Sequence, residues 1–234
     1  MAESLGHIGD LGFRPQTVID VGVASGTFEL YDAFPDAGHL LIEPLAEFEG
    51  TLQGICRKYK AQYVLAAASN ETGRATIHVH PDLQGSSFLR EIEGEYVDGN
   101  PRQVPTITID EVVANRGLRV PFVIKVDIQG AELMVLEGAR VTLSQTELAI
   151  LEVSLFGTLV GGPMLHDMVT YMRERGFVVY DIFGGLFRPL DKALAQVDIV
   201  FARENGPFRR VHAYATTTQR LRMIENASSR RPPR

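Results

Sequence analysis

The sequence contains only one cysteine and no long hydrophobic run. These two features exclude a disulfide-stabilised fold and a membrane-spanning helix. With Cys56 alone, the chain cannot form an internal disulfide or a thiolate metal cage, and we expect no metal site. No stretch approaches the ~20 consecutive apolar residues that a membrane-spanning helix needs. The N-terminus also lacks the basic, apolar and small-residue order of a secretory signal. We therefore predict a cytoplasmic protein without stable membrane insertion.

Positive charge is scarce in the body of the chain and concentrated at its end. The net charge is -6, yet residues 203–234 contain eight arginines and two glutamates, so the remainder is strongly acidic. Because nucleic acid binding needs a basic face, an acidic body argues against a nucleic acid partner and suits a cationic ligand better. We expect residues 206–234 to form a basic, flexible tail behind a single domain of residues 1–205.

Short β-branched runs alternate with amphipathic stretches along most of the chain. This alternation predicts an α/β fold with a mainly parallel sheet. Residues 74–105 interrupt it with two exposed, alternating strands and are interpreted as an insertion beside the sheet. The main strands are predicted at residues 17–21, 39–42, 63–66, 122–126, 148–153, 177–182 and 195–202, the helices at 27–34, 45–59, 131–143 and 164–175, and a turn region at 184–189.

The first strand runs into a glycine-containing turn over residues 20–27. Its spacing is G-x-x-x-G, with Asp20 two residues before Gly22, whereas dinucleotide sites typically show G-x-G-x-x-G. A carboxylate at this point would repel a pyrophosphate and attract a cationic ligand such as S-adenosylmethionine (SAM). The alternative is an ordinary strand-to-helix turn, which also favours Asp, Gly and Ser.

An acidic residue follows the second strand at about the sequence spacing expected of a ribose-binding carboxylate. Glu43 lies 21 positions after Gly22, close to the ~20-residue offset at which a carboxylate binds a ribose hydroxyl pair. A carboxylate supplies the two acceptors that this pair requires. The alternative is a charge at the N-terminus of the helix that follows Pro44.

A third segment places charge in a strand that is otherwise apolar. Lys125 and Asp127 share one strand face, and burying charge there is costly without a purpose. Asp127 should emerge opposite the first turn, near the reactive end of the cofactor, and it is our candidate catalytic residue. Glu152, at the end of the fifth main strand, is a second candidate base, and it could instead be a substrate contact or a capping group. A buried ion pair or a helix cap remains the alternative for Asp127.

These segments together resemble the FkbM family of SAM-dependent methyltransferases. The similarity spans roughly residues 15–202 and is most specific over 124–139, with further matches at 17–22, 42–44 and 106–113. It implies a Rossmann-like class I fold with helices on both faces of seven strands, the last strand antiparallel. It also implies SAM as cofactor and O-methylation of a hydroxyl on a sugar or natural product.

The resemblance also assigns cofactor-binding residues. The family's first motif commonly reads D-V-G-A-N-x-G, and this chain has Val23-Ala24-Ser25 in its middle. By position, the methionine moiety of SAM would lie against the first turn, the ribose against Glu43, and the adenine near the end of the third strand. The implied cofactor-binding residues are Asp20, Gly22, Ala24, Ser25, Gly26, Glu43, Ala67, Ala68 and Asp127.

Two other functions remain open from the sequence. An NAD(P)-dependent oxidoreductase could use the same fold, although Asp20 and the absent G-x-G-x-x-G disfavour it. A non-catalytic SAM-binding protein would keep the cofactor pocket and lack a working acceptor side. His78 and His80 have the spacing of two metal ligands on one strand face, but the sequence supplies no third ligand, so a surface pair is the expected interpretation.

Overall fold

The computed structural model describes residues 1–229, with side chains described as far as Ala227. Arg230–Arg234, the last part of the predicted basic tail, lies outside the described residues. The strands are β1 (Thr17–Val21), β2 (Gly38–Glu43), β3 (Ala61–Leu65), β4 (Ala67–Ala68), β5 (Gly73–Val79), β6 (Asn100–Ile107), β7 (Phe122–Val126), β8 (Thr146–Ser154), β9 (Phe177–Phe187) and β10 (Leu194–Arg203). The helices are α1 (Ala2–Asp10), α2 (Phe28–Ala33), α3 (Glu49–Lys58), α4 (Ile109–Arg116), α5 (Glu132–Glu137), α6 (Arg140–Ser144), α7 (Leu165–Glu174) and α8 (Thr217–Ser229).

Seven of the strands form one sheet in the order β3-β2-β1-β7-β8-β10-β9. Strands β3, β2, β1, β7 and β8 are parallel, whereas β10 is antiparallel to both of its neighbours. The strand order reverses beside β1, so the carboxyl ends of β1 and β7 border the crevice in which ligands bind in folds of this kind. The predicted α/β sheet with an antiparallel last strand is confirmed.

Apolar side chains on the two faces of the sheet build two cores. One core packs β1, β7 and β8 against α4 to α7, and the other packs the opposite face against α1, α2 and α3. The second core includes Val18, Val123 and Leu148, so the residues of like parity in these strands point to the same face. Helices therefore cover both faces, as the family resemblance implied.

Residues 67–107 contribute a second, smaller sheet, in the order β4-β6-β5. Its core of Leu45, Ala67, Ile77, Val79 and Val104 lies beside the main sheet. Two backbone hydrogen bonds join this insertion to the loop after β8: Ile92 N donates to Thr158 O at 2.9 Å, and Val160 N donates to Arg90 O at 2.8 Å. We call these two segments, residues 83–92 and 156–162, the roof.

Three features differ from the sequence predictions. The helix predicted over 131–143 is divided into α5 and α6 at Gly138, where an added Cβ would lie 2.0 Å from the carbonyl oxygen of Ser69. Strand β9 continues through the predicted turn at 184–189 as far as Phe187, because Gly184 and Gly185 form a bulge against β10. Helices α1, α4 and α8 had no predicted counterpart, and α8 begins at a capping box in which Gln219 N donates to Thr216 Oγ1 at 3.3 Å.

Candidate active site

A cavity of about 560 Å³, counting its open mouth, lies at the carboxyl ends of β1, β2 and β7 and beneath the roof. Six of the residues predicted to bind the cofactor line it: Gly22, Ala24, Glu43, Ala67, Ala68 and Asp127. Apolar side chains complete the wall, among them Ile42, Leu45, Phe48, Ile77 and Phe88.

The turn after β1 brings backbone close to backbone. Gly22 has φ 81°, and an added Cβ would stand 1.9 Å from the carbonyl oxygen of Asp127. Asp127 N in turn donates to Val21 O at 3.0 Å. Only glycine fits at position 22, since both the left-handed backbone and the contact exclude a side chain. The first predicted motif therefore fixes the spacing between the carboxyl ends of β1 and β7.

Glu43 is almost fully buried at the end of β2 and is held by two backbone amides. Ala24 N donates to its Oε2 at 3.0 Å, and Leu45 N donates to its Oε1 at 2.9 Å. Burial raises the pKa of Glu43, and the two amide hydrogen bonds oppose that increase. Each carboxylate oxygen retains a lone pair, so Glu43 can still accept from a vicinal pair of hydroxyls.

Asp20 does not reach the cavity wall, although we predicted it to bind the cofactor. It shares the strand parity of Val18, so its side chain points into the core of α1 to α3, and it is completely buried. The Tyr31 hydroxyl donates to its Oδ2, while its Oδ1 has no hydrogen-bond partner among the described residues and lies 4.0 Å from Lys125 Nζ. Burial raises the pKa of Asp20, and Lys125 opposes the shift.

Ser25 and Gly26 also lie off the cavity wall. Ser25 is exposed to solvent, and Gly26 faces the side chains of Ile55 and Phe28. Their cofactor role, like that of Asp20, stays a prediction.

Lys125, which is buried, and Asp127, whose side chain is 32% exposed, form an ion pair at the end of β7. Lys125 Nζ donates to Asp127 Oδ2 at 2.8 Å. Burial alone would lower the pKa of Lys125, but the carboxylates of Asp127 and Asp20 outweigh it and raise the pKa. Lys125 therefore stays charged and neutralises Asp127, which corresponds to the ion-pair alternative considered for this segment.

Asp127, Glu152 and Asp198 form a row across three adjacent strands. The parallel register of β7 and β8 sets Val126 opposite Leu151, which brings Asp127 level with Glu152, and β10 pairs Asp198 directly with Glu152. Gln129 and Gln196 both donate to Glu152 Oε2, at 2.8 and 3.2 Å. Within the described residues, Glu152 Oε1 has no hydrogen-bond partner.

Burial and neighbouring carboxylates raise the pKa of Glu152 and of Asp198 in this row. Burial first, and then the charges of Asp127, Glu132 and Asp198, raise the pKa of Glu152 to about 8. Burial likewise raises the pKa of Glu132, whose Oε1 accepts from Gly130 N at 3.0 Å, to about 7. Carboxyl groups with pKa values near neutrality are suited to proton transfer.

Several residues of this site were missed by sequence reasoning. Gln129 has φ 57°, unusual for a residue other than glycine, and this backbone aims its amide back at Glu152. Gln196 and Asp198 come from the antiparallel strand β10 and meet Glu152 only through the sheet register. The sequence around Phe48 and Phe88 contains no motif that predicts their position on the cavity wall.

The residues of the cavity fit SAM. Glu43 keeps acceptor capacity for the ribose, the apolar wall beside Ala67 and Ala68 suits the adenine, and the Gly22 turn admits a ligand close to the backbone. The cavity wall has two carboxyl groups, Glu43 and Asp127, and none of its described lining residues is a lysine or arginine, so a cationic ligand would be favoured.

The described part of the chain contains neither a candidate metal site nor a helix that could cross a membrane. Residues 1–229 contain no group of three or more His, Cys, Asp or Glu that could hold a metal ion. Among the helices that the structure describes, none combines the length and apolar character needed to cross a bilayer.

Comparison with known proteins identifies the family. Residues 20–179 match the model described as "Methyltransferase FkbM domain". No curated protein matches the sequence.

Similar solved structures include magnesium protoporphyrin IX methyltransferase of Synechocystis with bound SAM, at 11% identity and TM-score 0.45, covering 86% of this chain and 76% of that one. The precorrin-6y C5,15-methyltransferase of Geobacter metallireducens is 12% identical with TM-score 0.43, covering 86% and 87%. The 1,6-didemethyltoxoflavin-N1-methyltransferase of Burkholderia thailandensis, solved with S-adenosylhomocysteine, is 11% identical with TM-score 0.43, covering 86% and 76%.

The family match spans more than half of the chain, including the turn after β1, Glu43 and the whole β7 segment. The chain belongs to the FkbM family of SAM-dependent methyltransferases, and the cofactor of this family is SAM.

Proposed function

We propose that the protein transfers the methyl group of SAM to a hydroxyl oxygen of a small acceptor such as a sugar or natural product. The observation that carries this proposal is the row of Asp127, Glu152 and Asp198 at the carboxyl ends of three strands. Asp127 also lines the cofactor cavity, so the row extends from that cavity to the acceptor side. The catalytic unit would be residues 1–205.

Glu152 is the group best suited to take the hydroxyl proton. Its Oε2 is held by two amide donors, which fixes the carboxylate and leaves Oε1 for an acceptor. A hydroxyl is a weak nucleophile, and a positioned base typically contributes 10²–10⁴-fold to such a reaction. The raised pKa of Glu152 makes its carboxylate a stronger base than an ordinary glutamate.

Asp127, our candidate catalytic residue, supports the reaction differently in this proposal. Its Oδ2 already accepts a hydrogen bond from Lys125 Nζ at 2.8 Å, so this oxygen is less available to an acceptor. Its place on the cavity wall instead suits it to bind the cationic part of the cofactor.

Bound SAM supplies an electrophilic methyl group on a sulfonium sulfur. The sulfur–methyl bond would break as the acceptor oxygen takes the methyl group, releasing S-adenosylhomocysteine, and Glu152 Oε1 would accept the proton of the acceptor hydroxyl. The roof covers the site and excludes water, and holding the reacting groups close supplies most of the acceleration. After transfer, Glu152 must release its proton to solvent before the next turnover.

The charge of the row of Asp127, Glu152 and Asp198 also limits which acceptor molecules can bind. Three carboxyl groups line the acceptor side, and the one buried cation beside them, Lys125, is paired with Asp127. When Glu152 is ionised, as its role as a base requires, its charge would repel an anionic acceptor, so the proposed acceptor is a neutral or cationic small molecule. A nucleic acid, with its phosphate backbone, fits this site poorly.

The test is methyl transfer from labelled SAM to a panel of neutral, cationic and anionic hydroxyl compounds. We expect E152Q to lower kcat and to leave the Kd for SAM unchanged, because Glu152 lies outside the cofactor wall. D127N should weaken SAM binding instead. The proposal is wrong if E152Q keeps full turnover, or if only anionic compounds are methylated.

A further inference from the structure

The C-terminal segment, residues 211–227, is exposed almost throughout. Every described side chain of α8 is exposed, from Thr217 to Ala227. Five large apolar side chains in the segment are exposed to solvent: Val211 (77% exposed), Tyr214 (78%), Leu221 (56%), Met223 (47%) and Ile224 (60%). A 13-residue helix is marginal in water unless an apolar face is covered. This segment therefore needs a partner surface.

The chemistry of the segment is basic as well as apolar. Arg220 and Arg222 flank Leu221, and Arg220 lies over the ring of Tyr214 at 4.6 Å. A surface that covers this segment should combine apolar side chains with negative charge.

One surface of the same chain has that combination. A groove at the roof is lined by Phe88, Leu89, Glu91, Glu95 and Val160, among others. Around it, Ile92 is 61% exposed, Tyr96 82% and Val160 58%. We call this surface, residues 88–98 with Val160, the acidic groove.

The acidic groove contains more carboxylates than cationic side chains. Its one cation, Arg90, is bonded to Asp98 at 2.7 Å and to Glu95 at 3.1 Å. Glu91 and Glu93 have no ion-pair partner among the residues that the structure describes. The acidic groove thus presents unpaired carboxylates beside exposed apolar side chains, the complement of the C-terminal segment.

The segment cannot easily reach the acidic groove of its own chain. Strand β10 ends at Arg203, opposite the start of β9 and hence at the amino edge of the parallel strands, whereas the groove lies at the roof beyond their carboxyl edge. The ten residues of β10 span ~33 Å along that path. Residues 210–216, which connect the body to α8, reach ~25 Å at most.

We propose that the C-terminal segment of one copy docks in the acidic groove of a second copy, and that the exchange is reciprocal. A reciprocal exchange is closed and two-fold symmetric, so it ends at a dimer. Each of the two equal contacts then needs to supply only half of the ~1,600 Å² that a standard interface buries. The docked segment lies over the roof, and therefore beside the entrance to the acceptor side of the partner's site.

Charge-reversal variants test the proposed contact between the C-terminal segment and the acidic groove. This test does not require the methyl acceptor to be known. Light scattering over a concentration series should show a dimer for the full chain, weakened by added salt. R220E/R222E and E93R/E95R should each raise the dimer Kd by about tenfold or more, because both bring like charges together. An equimolar mixture of the two variants should restore the dimer, since each reversed surface then meets its complement at both contacts.

E71R is the matched control, because Glu71 is exposed and lies outside the acidic groove. Each variant should keep the SAM-induced rise in melting temperature, which shows that it is folded. A chain that is monomeric at every concentration overturns the proposal, as does a dimer that neither reversal weakens or a mixture that fails to re-form it. Binding of a monomeric chain to phosphatidylserine vesicles or to an oligonucleotide through Arg220 and Arg222 would also overturn it.

Discussion

Replacing Gly22 by alanine should damage both stability and cofactor binding, and Gly12 provides a matched control. Both glycines have left-handed backbone, with φ 81° at Gly22 and 84° at Gly12. An added Cβ at Gly12 meets nothing within 4 Å, whereas at Gly22 it meets Asp127 O at 1.9 Å. The two variants therefore share the conformational cost and differ in the steric contact.

The magnitudes follow from these contacts. The left-handed conformation costs an alanine about 1–2 kcal/mol, which is the whole expected loss for G12A. In G22A the carbonyl of Asp127 must also move by more than about 1 Å, which disrupts the bond from Asp127 N to Val21 O and adds roughly 2 kcal/mol. At about 2–4 °C per kcal/mol, G22A should melt well below G12A.

The assay is thermal unfolding together with SAM titration calorimetry. G12A should bind SAM like the wild-type protein, and G22A should bind at least about tenfold more weakly, because the cavity wall at Asp127 is displaced. Equal melting temperatures and equal SAM affinities for the two variants would refute the assigned contact between the ends of β1 and β7.

Three further predictions use other parts of the site. E43Q should weaken SAM binding about tenfold or more by calorimetry, because an amide cannot accept at both positions, while E47Q at an exposed neighbour should leave the affinity unchanged. The pKa of Glu152 is raised to about 8 in the folded state, so folded protein holds this proton more tightly than unfolded chain and stability falls as pH rises from the ordinary value of 4.5 towards 8. The melting temperature of E152Q relative to that of the wild type should therefore rise steadily between pH 4.5 and pH 8. A difference that stays constant over this range would contradict the assigned burial of Glu152. K125M should lower the free energy of unfolding by about 3–5 kcal/mol because Asp20 loses its buried countercharge, and adding D20N should recover part of that loss in denaturant titrations.

The sequence predicted the main sheet well because its strands are short apolar runs bounded by turn residues. Strand β7 matches residues 122–126, and β1 matches 17–21. The division between α5 and α6 was not predictable, since it depends on contact between Gly138 and the distant Ser69. Local periodicity contains no information about such a contact.

The candidate site was predictable where a single segment determines it. Gly22, Glu43 and Asp127 follow strands whose carboxyl ends meet at one edge, and the structure brings all three to the cavity. Asp20 shows the limit of this reasoning, because a strand buried on both faces does not reveal which face borders the ligand. Asp198 and Gln196 join the site only through antiparallel pairing of β10 with β8, which the chain order does not specify.

Position-resolved methyl transfer tests the account most directly. The protein would be incubated with SAM carrying an isotope-labelled methyl group and neutral hydroxyl acceptors, and the carbon shift of the transferred methyl would be read by NMR. We predict a methyl group on oxygen, formed by the wild-type protein and lost in E152Q, which should still bind SAM. A methyl group found on nitrogen or carbon, or SAM binding without transfer to any acceptor, would contradict the proposed O-methyltransferase.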